Sequence, residues 1–328
     1  AKALRTSSSS VSDGSEYPSC VTASRIAPSS TGCALSSRAQ SFSSSGVTGF
    51  SRLLGEEFDL IPLELDGEEH SRYRVLMNPL FSPKKINALG DSVEETAERL
   101  MNKIVAVDEC EFIEDFAKRF PIIVFLELFG LPTEEIYRFL DWEENLIHGK
   151  TMERRSVAAK QIKKYLELII AERREEPTDD LISWAVMSEI DGQRLTDQEV
   201  LGICFLLFVG GLDTVTSSLG LHFKYLAENP GQQQRLRDNP ELIPGAIEEL
   251  LRANGVVTSK RVVTKDLEFH GVKMKAGDNV VVPLALSGRD EREFECPHKI
   301  DFEREANRHI MFSAGPHRCV GSHLARRE

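Results

Sequence analysis

Phe312–Gly321, with the sequence FSAGPHRCVG, is the most informative segment of this 328-residue chain. It places Cys319 between Gly315 and Gly321, and the residues that follow, SHLARRE, predict the start of a helix. A thiol at a helix N-terminus lies among unpaired N–H groups at the positive end of the helix dipole, so its pKa falls and the thiolate can bind a metal. Glycines let the backbone approach a large flat group, and Phe312 can pack against it. The segment therefore predicts a haem iron with Cys319 as its thiolate ligand.

Two other interpretations of this cysteine stay open while the loop is considered alone. The first is a buried structural cysteine in an ordinary loop. The second is a zinc site, whose ligands would be Cys319, His317, His323 and Cys296. That spacing matches no usual pair of zinc-ligand clusters, so zinc is the weakest of the three interpretations.

The bulk composition limits the classes of function that the chain can have. Hydrophobic residues make up 41% of the chain and charged residues 28%, which is typical of a globular protein. The net charge of −12 argues against a nucleic-acid partner. The longest apolar run, around residues 202–212, is too short to span a bilayer, so no membrane anchor is expected. The six cysteines lack the spacing of a disulfide framework, which favours the reducing cytoplasm.

Residues 1–41 differ from the rest of the chain because serine dominates them and apolar residues show no period. Such a segment cannot bury enough surface to offset the entropy cost of ordering, so we expect it to be atypical or disordered. Its composition resembles that of an organelle transit peptide, but a clear amphipathic helix is missing. Disorder, or an artefact such as a shifted reading frame, is therefore favoured over targeting.

Most of the remaining chain predicts helices. They are expected at residues 92–105, 115–129, 134–147, 155–174, 180–187 and 240–252. A longer helix begins at Thr196, where Thr-Asp-Gln-Glu resembles a capping box, and its apolar run continues past Leu219. Clustered β-branched residues at 256–263 and 267–283 predict a small sheet of hairpins. The expected fold class is mainly α with a small β region.

The long helix contains the sequence Val-Gly-Gly-Leu-Asp-Thr at residues 209–214. A glycine inside a helix costs roughly 1 kcal/mol relative to alanine, so such a pair usually serves packing or a ligand. Thr214 can donate a hydrogen bond back to a carbonyl and bend the helix, and Asp213 beside it can relay protons into a dry site. Considered alone, the motif is better explained by a helix crossing that needs small residues. The cysteine loop reverses that preference.

Three motifs together resemble those of the cytochrome P-450 family. They are F-x-x-G-x-x-x-C-x-G around Cys319, G-G-x-D-T ending at Thr214, and E-x-x-R at Glu249 and Arg252. The resemblance is closest to the bacterial camphor-hydroxylase branch. It implies a cytochrome P-450 fold, truncated at both ends, in one domain over residues 42–328.

The resemblance implies roles for these residues. Cys319 would ligate the iron of haem b, and Asp213 and Thr214 would be catalytic. Glu249 and Arg252 as an exposed pair would add only about 0.2–0.5 kcal/mol. In this family they form a buried structural network, and Arg304 fits its third position.

The resemblance also implies contacts to the cofactor and the substrate. Residues expected to bind the haem besides Cys319 are His70, Arg74, Arg261, Phe312, Gly315, His317 and Gly321. Each cation singly is more typical of a protein surface. Residues expected to line the substrate pocket are Phe58, Leu60, Leu63, Val209 and Val257. Phe58 replaces a tyrosine that anchors a ketone in camphor hydroxylase, a bond worth about 0.5–1.5 kcal/mol, so a compact hydrophobe is the expected substrate.

The implied function is that of a cytoplasmic, monomeric haem-thiolate monooxygenase with no membrane or nucleic-acid partner. It would hydroxylate a camphor-like or other terpenoid substrate with O2 and electrons from a [2Fe-2S] ferredoxin and its reductase, with the ferredoxin docking near Arg74 and the cysteine loop. One alternative is a truncated, non-catalytic fragment that binds haem poorly. Another is an enzyme that uses peroxide, and the Asp213–Thr214 pair argues against it because peroxide users do not need that proton relay.

Overall fold

The computed structural model describes residues 20–22, 41–107, 109–305 and 307–328. They fall into two compact units. The sheet unit consists of the described residues up to Ser44 together with Ser217–Cys319. The helical unit consists of Ser45–Thr216 with Val320–Glu328. The sequence predicts one domain over residues 42–328, whereas the contacts group this range into two units.

Helices make up most of the described chain, as the sequence predicts. In chain order they are α1 (Phe50–Leu54), α2 (Gly67–Met77), α3 (Pro83–Ala88), α4 (Gly90–Val105), α5 (Arg119–Leu128), α6 (Ile136–Ile147), α7 (Met152–Glu175), α8 (Leu181–Met187), α9 (Asp197–Gly211), α10 (Asp213–Glu228), α11 (Pro230–Asp238), α12 (Ile243–Ala253), α13 (Leu284–Ser287) and α14 (Leu324–Arg327). A π-helical turn, Ile113–Ala117, precedes α5. Short 3₁₀ turns precede α6, α12 and α14, at Thr133–Glu135, Pro240–Leu242 and Val320–Ser322.

The described strands are few and short. They are β1 (Cys20–Thr22), β2 (Phe42–Ser43), β3 (Glu189–Ile190), β4 (Gln193–Arg194), β5 (Thr258–Val263), β6 (Leu267–Phe269), β7 (Val272–Met274) and β8 (Asn279–Pro283). This inventory confirms the predicted fold class, mainly α with a small β region.

Helix α9 is buried on nearly all of its faces. Its buried residues are Val200, Leu201, Gly202, Ile203, Cys204, Phe205 and Phe208. A helix that is apolar all round belongs in the interior of a domain. Its start is fixed by the predicted capping box, since Glu199 N–H donates to Thr196 Oγ1 at 3.3 Å and Thr196 N–H donates to Glu199 Oε2 at 2.6 Å. The sequence therefore identifies both the first residue of α9 and its buried character.

The predicted long helix is divided in two. Helix α9 ends at Gly211, α10 begins at Asp213, and Leu212 between them has φ −97° and ψ −69°. Thr214 Oγ1 donates to the Gly210 carbonyl at 2.9 Å. A threonine that bonds back into the preceding turn bends a helix, so the local prediction is confirmed although the helix is interrupted.

By length and composition, the stretch Asp197–Glu228 is a candidate to cross a membrane. It is longer than the apolar run around residues 202–212, so its length gives no ground for excluding a membrane. Of its most apolar window, 56% is buried inside the protein. Such burial is that of a core helix, because neighbouring side chains cover the apolar surface.

The sheet unit is organised around four strands in the order β1-β8-β5-β2. Strands β5 and β8 pair antiparallel, with Thr258 opposite Pro283 and Val262 opposite Asn279, and β1 pairs parallel to β8. The separate hairpin β6–β7 turns at His270 and Gly271, both with positive φ, as two-residue hairpin turns require. The predicted hairpin region is therefore present.

Among its described residues, two apolar clusters stabilise the sheet unit. The first lies on the sheet and contains Phe42, Val263, Phe269, Met274 and Val280. In the second, Ala246 and Leu250 of α12 pack against Phe302. This second cluster matters for function because it fixes α12, which carries Glu249 and Arg252.

Some elements were not predicted. They are the helices α1, α2, α3, α11 and α13, the strand β2 and the hairpin β3–β4. These elements are short or, like α2, carry little apolar periodicity, so tertiary packing decides them more than the local pattern does. Strand β1 lies within the serine-rich segment, where no structure was expected, because backbone pairing with β8 needs no apolar side chains. Residues 1–19 and 23–40 lie outside the described residues.

Candidate functional site

The cysteine loop is a tight turn that presents its thiol to solvent. The N–H of Cys319 donates to the Phe312 carbonyl at 2.9 Å, and the N–H of Arg318 donates to the Gly315 carbonyl at 3.1 Å. The backbone reverses through positive φ at Ser313 (61°) and Gly315 (72°), and glycine adopts that conformation without strain. Cys319 itself is exposed. Its exposure contradicts the alternative of a buried structural cysteine.

The start of a helix predicted after the loop is present. The chain continues from Cys319 into the 3₁₀ turn Val320–Ser322 and then into α14, Leu324–Arg327. The 3₁₀ turn still follows the cysteine directly, so backbone N–H groups of a helical turn follow the thiol in the chain.

The zinc alternative finds no support in the part of the chain that the structure describes. There, no group of three or more histidine, cysteine or acidic side chains close enough to hold a metal ion includes Cys319. The group that does meet this criterion is Glu143, His148 and Asp213. Two of its three residues, Glu143 and His148, were not singled out by the sequence.

Two of the cations predicted at the haem belong to the sheet unit. Arg261 on β5 is buried, and its Nη1 donates to the Lys260 carbonyl at 2.6 Å. His317, in the cysteine loop, has its Nε2 3.3 Å from the hydroxyl of the buried Ser44. Both side chains are thus held in defined positions.

The other two predicted cations, His70 and Arg74, lie one turn apart on α2 of the helical unit. His70 is buried, whereas Arg74 is half-buried and donates from Nε to Asn78 Oδ1 at 3.0 Å. Residues four apart share one face of a helix. The hydroxyl of Tyr73 donates to Glu199 Oε1 at 2.5 Å and so fastens α2 to the start of α9. Burial, followed by the bond to this carboxylate, raises the pKa of the Tyr73 phenol.

Glu249 and Arg252 on α12 form a fully buried ion pair, with Nε–Oε2 and Nη2–Oε1 distances of 2.8 Å each. Arg304 Nε donates to both carboxylate oxygens of Glu249, at 3.1 and 3.0 Å. The backbone N–H of Asp301 and the amide of Asn307 complete the shell, at 2.9 and 3.1 Å. Burial alone favours the neutral acid, but these donors outweigh it and lower the pKa of Glu249. The geometry therefore brings together the three residues grouped by the sequence.

The remaining donors of Arg252 in this network also have hydrogen-bond partners. Arg252 Nη1 donates to the carbonyls of Gly288 and, at 2.9 Å, Pro297. Its guanidinium lies over the ring of Phe294, 5.2 Å from the centroid. A network whose charged groups are all paired fixes geometry more than it adds stability.

Four of the five predicted substrate residues lie in the helical unit. Phe58 and Leu60 are buried members of its main core cluster, and Leu63 and Val209 pack against that cluster. Val257, the fifth, is in the sheet unit just before β5, where its carbonyl accepts the N–H of Leu284 at 3.2 Å.

The segment that carries Phe58 and Leu60 is fixed by polar contacts. Ser51 Oγ donates to the Phe58 carbonyl at 2.8 Å, and the buried Glu64 accepts the Leu60 N–H at 3.1 Å. Helix α9 approaches this segment at Gly202, where an added Cβ would lie 2.6 Å from the Asp59 carbonyl. The glycine is required there for close packing.

The end of α9 presents an open face. Gly210 and Gly211 are exposed although most of the helix is buried, and a Cβ added to either would meet no atom within 4 Å. Next to this face, Thr214 is held by its bond to the Gly210 carbonyl. The predicted space beside the glycines is thus present in the helical unit.

Asp213 does not stand alone, because His148 Nε2 lies 3.1 Å from its Oδ1. Glu143, on α6, places its Oε1 3.9 Å from the same nitrogen. Glu143 is buried, and that burial, with the nearby charge of Asp213, raises its pKa to about 7. Among the described residues its Oε2 has no hydrogen-bond partner.

Sequence reasoning missed Glu143 and His148. A signal for Glu143 exists, because α6 buries Phe139, Trp142 and Leu146 on one face and Glu143 shares that face. An acid in an apolar stripe marks a buried carboxylate. His148 follows the helix as its C-cap and carries no comparable signal.

Comparisons with known proteins agree on one family. The family model described as cytochrome P-450 matches residues 125–328. A probable cytochrome P-450 127A1 of Sinorhizobium fredii is 41% identical over 280 residues, which is 85% of this chain and 67% of that protein. The structure of CYP101J2 is 32% identical with a TM-score of 0.81, covering 92% of this chain and 75% of its own. CYP109E1 of Bacillus megaterium, solved with testosterone, is 27% identical with a TM-score of 0.84, covering 92% and 80%.

Proposed function

This chain belongs to the cytochrome P-450 family of monooxygenases, and we propose that it hydroxylates a compact hydrophobic molecule with electrons from a [2Fe-2S] ferredoxin. Haem b is the cofactor of this family, and O2 is its oxidant. The observation that carries the proposal is the exposed thiol of Cys319 at the end of a tight, hydrogen-bonded loop.

The donor set of the chain fits a haem. Cys319 is an exposed thiol and would ligate the iron. Arg261 and His317, with His70 and Arg74, are cations or N–H donors suited to the two propionates. Around the cysteine, Phe312 would pack on the porphyrin, and Gly315 and Gly321 would allow its close approach. When bound, the haem supplies the redox chemistry that inserts one oxygen atom into substrate, and a thiolate ligand favours that chemistry.

The proposed task of Asp213 and Thr214 is to deliver protons. The Asp213 side chain is 29% exposed, so it can exchange protons with solvent while it contacts His148. Thr214 is the next residue, and its hydroxyl can leave the Gly210 carbonyl to hold a proton or a water at Oγ1. A positioned acid beside an alcohol is a common means of moving protons into a dry site.

The proposed substrate class follows from apolar residues. Phe58, Leu60, Leu63, Val209 and Val257 offer no hydrogen-bonding side chain. A site of this kind selects by shape and size rather than by polar recognition. A terpenoid or a molecule of similar compactness fits this description, and Phe58 does not exclude camphor. The relatives of this chain belong to several P-450 branches. We propose that the chain itself belongs to the camphor-hydroxylase branch.

The proposed partners and location rest on charge and cysteine chemistry. Arg74 would contribute to docking of the acidic ferredoxin. Cys110, Cys204 and Cys296 are free thiols, which suits a monomer in the reducing cytoplasm. A ferredoxin reductase would complete the electron supply.

A carbon-monoxide spectrum tests thiolate ligation. The haem-loaded protein, reduced and treated with carbon monoxide, is expected to show the strongly red-shifted Soret band of a thiolate haem. Cys319→Ser should abolish the band, whereas Cys296→Ser, at another exposed cysteine, should keep it. Bound haem without the band in the unsubstituted protein contradicts thiolate ligation, and failure to take up haem favours the non-catalytic alternative.

Two further measurements test the site residues. Thr214→Ala should divert electrons from product to hydrogen peroxide, and an unchanged product yield would contradict its role. Spin-state titration with a panel of small terpenoids and larger steroids should give the strongest response for a compact terpenoid. If only steroids respond, the proposed substrate class is wrong while the monooxygenase assignment stands.

A further inference from the structure

We propose that Glu143, His148 and Asp213 bind a divalent transition-metal cation such as Zn2+, and that the cation slows turnover by occupying Asp213. The first half of this proposal concerns only the residues of the helical unit. The second half rests on the proposed role of Asp213 in proton delivery. Different measurements therefore test the two halves.

The three side chains already converge on one point. One ligand atom from each lies within 4.8 Å of the others. His148 Nε2 lies 3.1 Å from Asp213 Oδ1 and 3.9 Å from Glu143 Oε1. Zinc binds imidazole nitrogen and carboxylate oxygen at about 2.0–2.2 Å, which sets tetrahedral ligands roughly 3.4 Å apart. Small rotations of these side chains would therefore close the site.

The state of Glu143 is the second, independent observation. Its side chain is only 5% exposed, and its Oε2 has no hydrogen-bond partner among the described residues. A buried carboxylate is normally paired with donors or with a metal, because burying an unpaired polar group is costly. The nearby cation Lys118 contacts two other acids, Glu114 at 2.7 Å and Glu144 at 3.1 Å. A bound cation would supply the counter-charge that Glu143 lacks.

The ligand chemistry selects the class of cation. One imidazole and two carboxylates form a mixed nitrogen–oxygen set, which suits zinc and its neighbours in the first transition row. Calcium and magnesium prefer sites made of oxygen alone, with six or more ligands. Three protein ligands also leave a fourth position for water, as in open zinc sites.

The scaffold makes the site both rigid and accessible. Glu143 lies on α6, His148 is the C-cap of the same helix, and Asp213 is the first residue of α10. The His148 side chain is 48% exposed, so a cation has a path from solvent to the buried carboxylate. Sites built on helices hold ligand geometry better than sites on loops.

Metal binding is tested by calorimetric titration of the haem-loaded protein with zinc chloride near pH 7.5. The unsubstituted protein should bind one more Zn2+ per chain than His148→Ala does. Glu143→Gln should weaken the same binding at least tenfold. Two matched controls should bind as the unsubstituted protein does: Glu144→Gln, an exposed acid beside Glu143, and His298→Ala, an exposed histidine.

Folding of each variant is verified by its thermal unfolding without metal. Zinc should raise the unfolding temperature of the unsubstituted protein and of both controls, and should leave that of His148→Ala unchanged, because only a native site transfers binding energy to the fold. Equal zinc stoichiometry and affinity in the unsubstituted protein and His148→Ala would overturn the site.

The inhibitory half is tested by product formation with and without zinc, followed by chelator. Turnover should fall several-fold at saturating zinc and recover when the chelator is added, and His148→Ala should resist the inhibition. Zinc binding that depends on His148 without slower turnover overturns the regulatory half. Absence of the thiolate-haem band overturns the proposed function instead, and it leaves the calorimetric result on the site intact.

Discussion

Glu249 and Glu143 are both glutamates buried on helices, but they have opposite surroundings. In the sheet unit, Glu249 accepts hydrogen bonds from Arg252, from Arg304 and from the Asp301 backbone, and its pKa is lowered. In the helical unit, one oxygen of Glu143 has no hydrogen-bond partner among the described residues, and burial raises the pKa of Glu143 to about 7. A buried carboxylate whose charge is met by hydrogen-bond donors holds those donors in one geometry and so helps to define the fold. Buried charge without donors costs stability, and a protein retains it where the group has another use.

The largest expected effect is at Arg252. Arg252→Ala leaves the Glu249 carboxylate buried without its main counter-charge, and such a loss costs about 3–5 kcal/mol. The free energy of unfolding from urea titration of the purified protein measures it. Arg235→Ala serves as the control, because that arginine pairs with Glu303 at the surface and should cost no more than about 1 kcal/mol. Equal effects of both substitutions would show that the buried ion pair contributes no more to the free energy of unfolding than a surface pair does.

A half-buried histidine in the sheet unit, His222, extends the comparison to acid pH. Burial lowers the pKa of His222 to about 4, although its N–H donates to the Leu250 carbonyl. Between pH 6.5 and 4 the imidazole of His222 is protonated in the unfolded chain but not in the folded protein. The free energy of unfolding therefore falls as the pH falls through this window. The shift corresponds to roughly 3 kcal/mol over the window.

His222→Gln should remove this part of the acid dependence and leave a flatter curve of unfolding free energy against pH. The exposed His298→Ala is its control and should reproduce the curve of the unsubstituted protein. A His222→Gln curve as steep as that of the unsubstituted protein would show that the imidazole is protonated inside the fold.

At Glu143 the effect should be smaller and opposite in sign to that at Glu249. Glu143→Leu, measured with chelator present, removes a buried carboxylate that has one oxygen without a partner among the described residues, and it should be neutral or stabilise the protein by about 1–2 kcal/mol. Glu249→Leu should strongly destabilise it, because two arginines would lose their partner. Urea unfolding measures both. Destabilisation of similar size at the two positions would erase the contrast between the two regions.

The smallest effect is expected at Gly210, which differs from Gly202 of the same helix α9. Gly210→Ala meets open space and should stabilise the helix by about 0.5–1 kcal/mol. Gly202→Ala brings its Cβ against the Asp59 carbonyl and should destabilise by about 1–3 kcal/mol. Thermal unfolding measures both changes. If Gly210→Ala also weakens the spin-state response to substrate, the open face has a binding role; a destabilising Gly210→Ala would show that this face is filled.

Local patterns account for much of the fold. The capping box at Thr196 and the apolar run that follows predict the start and the burial of α9, because cap bonds and helix amphipathicity act within a few residues. The back-bond of Thr214 to Gly210 is local for the same reason. The sequence does not predict that the chain leaves the helix at Leu212. It also misses the short helices α1 to α3, whose stability comes from packing rather than propensity.

The sequence alone determined the family, because family motifs depend on residue types at fixed spacing. It also determined that Glu249 and Arg252 share one helix face. Only the tertiary structure decided which buried acids are paired. Arg304 reaches Glu249 across 55 residues, and His148 reaches Asp213 across 65. Such contacts depend on how separate helices pack, and spacing along the chain does not encode this packing. That one oxygen of the Glu143 carboxylate lacks a hydrogen-bond partner among the described residues is therefore visible only in the tertiary structure.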